Sequence, residues 1–186
     1  VLGIAIMVTP VVSTAADYDF QSNSLMGVEV GGSSIDYTYN NANSPQDVTV
    51  SSLGLKLGAE TKDFRAFIDG KYFYDSSSTY DYIVTYGGAL QYKLNPSKLF
   101  NIFLGVNAGI ANIRFIPADG SPYRSMSSPY FGGDLGVNIH LGNTMDLELG
   151  GRVMSIQDTN TINNVEYRIG NIVNAYASLI FKWQMD

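Results

Sequence analysis

Residues 52–60 read Ser52-Leu53-Gly54-Leu55-Lys56-Leu57-Gly58-Ala59-Glu60. Leu53, Leu55, Leu57 and Ala59 fall on one side of an extended chain, and Ser52, Gly54, Lys56, Gly58 and Glu60 on the other. Successive side chains of a strand point to opposite faces, so this alternation marks a strand with one apolar face and one small or polar face.

The same period of two runs outward from this stretch over residues 26–183. Phe64, Ala66, Ile68, Tyr72 and Tyr74 oppose Arg65, Phe67, Asp69, Lys71 and Phe73; Tyr82, Val84, Tyr86, Leu90 and Tyr92 oppose Thr85, Gly87, Ala89, Gln91 and Lys93. Phe100, Ile102, Leu104, Val106 and Ile110 face away from Asn101, Phe103, Gly105 and Asn107, and Leu135, Val137 and Ile139 from Asp134, Gly136, Asn138 and His140. Further on, Met145, Leu147, Leu149 and Val153 alternate with Asp146, Glu148, Gly150 and Arg152, and Val173, Ala175, Ala177, Leu179 and Phe181 with Asn174, Tyr176, Ser178 and Lys182. A weaker first segment, with Val28 and Val30 against Gly27, Glu29 and Gly31, brings the count to about eight strands.

The connections alternate in length. Thr61-Lys62-Asp63, Asn95-Pro96-Ser97-Lys98 and Gly142-Asn143-Thr144 are tight turns, whereas residues 40–47, 75–81, 117–128 and 157–168 are longer and polar. Transmembrane barrels have short periplasmic turns and longer outer loops. The pattern therefore predicts an all-β, eight-stranded antiparallel up-and-down transmembrane β-barrel with both termini in the periplasm.

A soluble barrel or sandwich shares the alternation. The polar face separates the two, because a water-facing surface would carry many long charged side chains. Here that face is rich in glycine, serine and asparagine with a few charges of both signs, as expected of a crowded interior. Aromatics gather at both ends of the apolar face, with Phe64, Tyr92, Phe100, Phe181 and Trp183 toward the turns and Tyr72, Tyr74, Tyr82 and Phe131 toward the loops. Interfacial girdles of a membrane barrel have this placement.

The chain of 186 residues is of a size for one domain, expected over residues 17–186. Residues 1–12 read VLGIAIMVTPVV and are followed by Ser13-Thr14-Ala15-Ala16, a short apolar run with small residues at a cleavage-like site. Residues 1–16 are therefore expected to be part of a signal peptide. The net charge of −6 without a Lys/Arg cluster excludes nucleic acid as an expected partner. With no cysteine there is neither a disulfide framework nor a thiolate metal site.

This architecture resembles the small outer-membrane β-barrel family that includes the OmpA transmembrane domain, OmpX and the Opa/NspA-like surface proteins. The resemblance covers nearly all of the chain after residue 16. The segment Tyr176-Ala177-Ser178-Leu179-Ile180-Phe181-Lys182-Trp183 looks like the family's C-terminal assembly signal, although Gln184, Met185 and Asp186 follow the aromatic. The resemblance implies outer-membrane lipid as surroundings and the barrel-assembly machinery as a partner during biogenesis.

Glu29, Lys56, Arg65, Asp69, Lys71, Asp134, Glu148 and Arg152 all fall on the lumen face. Charges enclosed in a narrow barrel need partners, so a structural ion-pair network is expected, with a gated polar path as the alternative. His140, the sole histidine, could be paired in a hydrolase with Asp134, Asp146 or Ser178; its place beside a short turn makes an interior polar role the expectation. No catalytic residue, metal or cofactor is expected. The function expected is that of a non-enzymatic surface protein serving envelope integrity, with adhesion to an extracellular ligand or host surface through the loops. Tyr123 and Arg124 mark the candidate contact loop. A channel for small or hydrophobic molecules and an envelope enzyme are the alternatives.

Overall fold

The computed structural model of the chain describes residues 22–39, 46–74, 80–115, 124–162 and 165–184. The expected signal segment and Tyr123 lie outside the described residues. The strands are β1 (Asn23–Tyr39), β2 (Gln46–Glu60), β3 (Phe64–Tyr74), β4 (Tyr80–Leu94), β5 (Phe100–Phe115), β6 (Arg124–His140), β7 (Met145–Ile162) and β8 (Val165–Gln184). Each pairs antiparallel with the next, and β8 pairs with β1, so the sheet closes into an eight-stranded barrel. Closure leaves no strand edge unpaired, as a hydrocarbon environment demands.

The faces are those the alternation predicts. Leu55, Ile68, Leu104 and Leu135 on the outside are 63–67% exposed, while Lys56, Arg65 and Glu148 inside are at most 1% exposed. A water-soluble domain buries its leucines and exposes its lysines. This inversion is stable only where the outer surface meets hydrocarbon. The eleven residues of β3 extend about 36 Å at ~3.3 Å per residue. Tilted by roughly 40°, they cover ~27 Å of membrane normal, close to the apolar band of about 25 Å on such barrels. Phe64 and Tyr92 meet at the turn end of this belt with ring centroids 5.3 Å apart.

Gly87, Gly109, Gly136 and Gly150 face the lumen and make room for aromatic rings. Phe103, Gly136, Gly150 and Tyr176 stand side by side on four consecutive strands. A Cβ on Gly136 would lie 2.5 Å from Phe103 Cζ, and one on Gly150 would lie 2.6 Å from Tyr176 Cζ and 3.1 Å from Phe103 Cζ. The two rings thus lie over bare backbone between them. Tyr130 covers Gly109 and Gly87 in the same way, its Oη 2.1 Å from a Cβ built on Gly87.

Two expectations need correction. Residues 157–168 are largely strand rather than loop: β7 and β8 stay paired from Asp158↔Ile169 to Ile162↔Val165, past a bulge at Ser155/Asp158. Likewise the end of the 117–128 segment is strand, with Arg124 opposite Phe115 and Ser128 opposite Ala111. An antiparallel ladder need not stop where lipid stops, so polar composition marked the end of the apolar belt and not the end of pairing. The lumen is also not polar throughout. Toward the loop end Ile35, Phe73, Ile83, Ile113, Met126, Met154, Ile156 and Ile172 form a buried apolar layer.

The face assignment predicts that Leu104→Arg and Leu149→Arg, near the middle of their strands, each cost about 2–4 kcal/mol of folding stability in bilayers. Equilibrium unfolding from lipid vesicles measures this, and wild-type stability in Leu104→Arg would reverse the faces.

Candidate functional site

Period-two parity places every charged lumen side chain, and closure of the barrel decides which of them meet. Arg65 on β3 is central. Its guanidinium reaches Glu148 on the facing wall, β7, at 2.7 Å, as well as Asp146 at 3.4 Å and Glu60 at 3.1 Å. Lys56 bridges Glu148 at 2.9 Å and Glu29 at 2.8 Å, and Lys71 also bonds Glu29. At the turn-end mouth Lys93 bonds Glu60 at 2.9 Å, and Lys182 lies 2.9 Å from Asp146 and 3.6 Å from Glu60.

A second group stands higher in the barrel. Arg152 on β7 crosses to Asp69 on β3 at 2.5 Å and lies 3.8 Å from Asp134, which also accepts from Gln91. Thus β3 and β7, which stand opposite each other in an eight-stranded ring, are joined in both groups. An interior just wide enough for side chains permits such spans.

All eight lumen residues singled out from the sequence are within these two groups. Some of their partners come from the opposite wall. Parity also placed Glu60, Lys93, Asp146 and Lys182 on the lumen face, yet the sequence set omitted them. Nothing in one strand shows that residues near its end remain inside the enclosed space. With them, the described ion pairs join six acidic and six basic side chains. Charge inside is balanced, which limits the cost of holding it away from water.

Aromatic faces add to the confinement. The Tyr176 ring has Lys56 Nζ at 4.8 Å, Lys71 Nζ at 4.9 Å and Arg152 Cζ at 5.6 Å from its centroid. The quadrupole of a ring attracts cations over its face, so Tyr176 draws three bases toward one point of the lumen. Between the two charged groups and the apolar layer, both amide atoms of Asn107 are buried without a protein hydrogen-bond partner, as are Gln91 Oε1 and Asp134 Oδ1. Ordered water is the usual partner of such atoms in protein interiors.

Of the three partners considered for His140, only Asp146 meets it, at 2.7 Å from Nδ1. Ser178 instead donates to the Val28 carbonyl at 3.1 Å, and Asp134 is held by Gln91 and Arg152. Among the described residues no group of three or more histidine, aspartate or glutamate side chains is placed to hold a metal. Arg124 is the first residue of β6.

Closed antiparallel pairing, an apolar exterior and an ion-paired interior define a small eight-stranded transmembrane β-barrel. No family model matches the chain, and no curated protein matches it. Among solved structures it is similar to Neisserial surface protein A, with 17% identity, a TM-score of 0.65 and coverage of 85% of this chain and 97% of that one. It is also similar to the N-terminal β-barrel domain of Pseudomonas aeruginosa OprF, at 12% identity and a TM-score of 0.52 over 84% of this chain and 97% of that one. The outer membrane protein OprG of Pseudomonas aeruginosa aligns at 10% identity and a TM-score of 0.53, over 87% of this chain and 97% of that one. The likeness is one of fold, and the fold is that of small outer-membrane barrels.

The network predicts an order of mutational cost. Arg152→Ala strands Asp69 and Asp134 in the middle of the barrel and is expected to cost about 3–5 kcal/mol. Lys182→Ala, at the mouth where water can enter, costs less. Denaturant unfolding in one detergent measures both, and equal costs would mean that the middle of the lumen is as wet as its end.

Proposed function

We propose that the protein is a non-enzymatic outer-membrane surface barrel that serves envelope integrity, with its turn end and both termini in the periplasm and its contacts made by the opposite loops. The observation that carries this reading is the lumen: opposite walls tied by ion pairs, with a packed apolar layer toward the loop end. A barrel filled in this way is a rigid membrane plug, which leaves the loop end for contact with a partner. Segments that connect strands tolerate change and commonly carry binding.

Catalysis is disfavoured by the state of His140. With Nδ1 on Asp146 at 2.7 Å, Nε2 is the nitrogen that would take a proton from a hydroxyl nucleophile, and it faces the Asn101 carboxamide at 3.3 Å instead. Transport is disfavoured by the crossing pairs, since solute passage would require Arg65 to leave Glu148 and Arg152 to leave Asp69. The segment of residues 116–123 between β5 and β6 is the proposed site of contact with an extracellular ligand or host surface, and the barrel-assembly machinery and outer-membrane lipid are the proposed partners in biogenesis and at rest.

Reconstitution in planar bilayers tests the closed lumen. The expected result is no steady conductance step from protein that migrates as a folded, heat-modifiable band. A steady current whose ion selectivity changes in Arg152→Ala, with folding stability unaltered, would replace this reading with a channel. Recovery of the protein outside the outer-membrane fraction would remove the location as well.

A further inference from the structure

The side chains at the turn-end mouth form a closed hydrogen-bond circuit. Arg65 Nη1 donates to Asn138 Oδ1 at 2.9 Å, Asn138 Nδ2 donates to Asn101 Oδ1 at 2.7 Å, and Asn101 Nδ2 lies 3.3 Å from His140 Nε2. His140 Nδ1 lies 2.7 Å from Asp146 Oδ1, and Asp146 Oδ2 accepts from Arg65 Nη2 at 3.4 Å, which closes the ring. Four strands, β3, β5, β6 and β7, contribute to it.

Chemistry fixes the direction of this circuit. A guanidinium only donates and an ionised carboxylate only accepts, whereas a carboxamide or a neutral imidazole does one at each end. Arg65 therefore turns the oxygen of Asn138 toward itself. Asn138 must then present its NH2 to Asn101, and Asn101 in turn presents its NH2 to His140. One arrangement of the imidazole satisfies both neighbours: Nε2 bare and accepting, Nδ1 protonated and donating to Asp146.

We infer that His140 is held as the neutral Nδ1–H tautomer and that the circuit is a proton-responsive latch across the turn-end mouth. A second proton on Nε2 sets two donors face to face. Asn101 cannot turn over to accept it without losing the bond from Asn138, which is itself fixed by Arg65. The charged groups around the imidazole are Asp146 of β7 and, on the same carboxylate, Lys182 of β8 and Arg65 of β3. Glu60 of β2 and Lys93 of β4, bonded to each other, and Glu148 of β7, bonded to Arg65, complete the charge at this level. The His140 side chain is 25% exposed, so protons reach it from the mouth. Protonation opens the Asn101 contact and loosens the corner where the His140 amide donates to the Leu99 carbonyl at 2.8 Å. The Arg65–Glu148 span across the barrel stays in place.

Because the chain has a single histidine, 15N-histidine labelling of the folded protein in detergent gives one pair of ring nitrogens. At neutral pH the expected spectrum has Nδ1 protonated and Nε2 unprotonated. A predominant Nε2–H form, or a freely exchanging mixture of tautomers, would overturn the inference. Asn101→Asp keeps the acceptor for Asn138 but replaces the donor facing Nε2 by a second acceptor. Nε2 should then carry a proton at neutral pH; a ring-nitrogen spectrum unchanged from wild type would also overturn the circuit. Should that variant fail to fold, Asn101→Leu serves, with mixing of the tautomers expected and retention of pure Nδ1–H contradictory. The latch is read from the His140 amide, whose hydrogen-exchange protection should fall across the imidazole titration in wild type and stay level in His140→Gln. Constant protection in wild type would leave His140 a static residue and refute the latch.

Discussion

Arg65 crosses the barrel to Glu148, and Arg152 crosses back to Asp69, and much of the structure follows from the need to bury these charges in a tube only eight strands around. An ion held away from water is tolerable only when its partner is close and its remaining hydrogen-bonding capacity is used. Arg65 meets both conditions through Glu60, Asp146, Glu148 and Asn138. Such a span requires a narrow bore, and a narrow bore requires glycine where large rings lie against the wall. Gly136 and Gly150 beneath Phe103 and Tyr176 are part of the same solution as the ion pairs.

The wall separates two packing problems that are solved independently. Outside, leucine, isoleucine and valine need only match hydrocarbon, so their shapes are loosely constrained. Inside, the side chains must fit one another, and they do so in layers. Mixed charges run from the turn end into the middle beside a small apolar cluster of Leu25, Phe67, Ala89 and Ile180, polar groups around Asn107 follow, and isoleucine, methionine and phenylalanine pack toward the loops. The apolar layer helps exclude water from the charged layers below it, which strengthens their attraction. Balanced charge keeps that attraction from being offset by an unpaired ion.

The wall was legible in the sequence, because a period of two is a local property that each strand carries alone. Leu53, Leu55 and Leu57 against Gly54, Lys56 and Gly58 suffice to assign faces without any neighbour. The lumen partners were not legible in the same way. Whether Arg65 meets Glu148 or a residue on an adjacent strand depends on barrel closure and stagger, which no single strand encodes. Asp146 and Lys182 had the correct parity, but their enclosure depends on how far the turns let the wall extend. The apolar layer was missed for a different reason. Met126 lies on the lumen parity between Ser125 and Ser127, and Ile156 follows Ser155, so the contrast that marks the middle of each strand is lost there.

A double-mutant cycle on Arg65→Gln and Glu148→Gln, measured by equilibrium unfolding in lipid, addresses the central claim most directly, because the two residues come from facing walls and share no neighbouring strand. Direct contact across the lumen predicts that the two changes are coupled by about 1–3 kcal/mol, the double variant losing less than the sum of the singles. Additivity within about 0.5 kcal/mol is the behaviour of residues that do not touch. That result would mean that the walls are held apart by water and that the barrel is open.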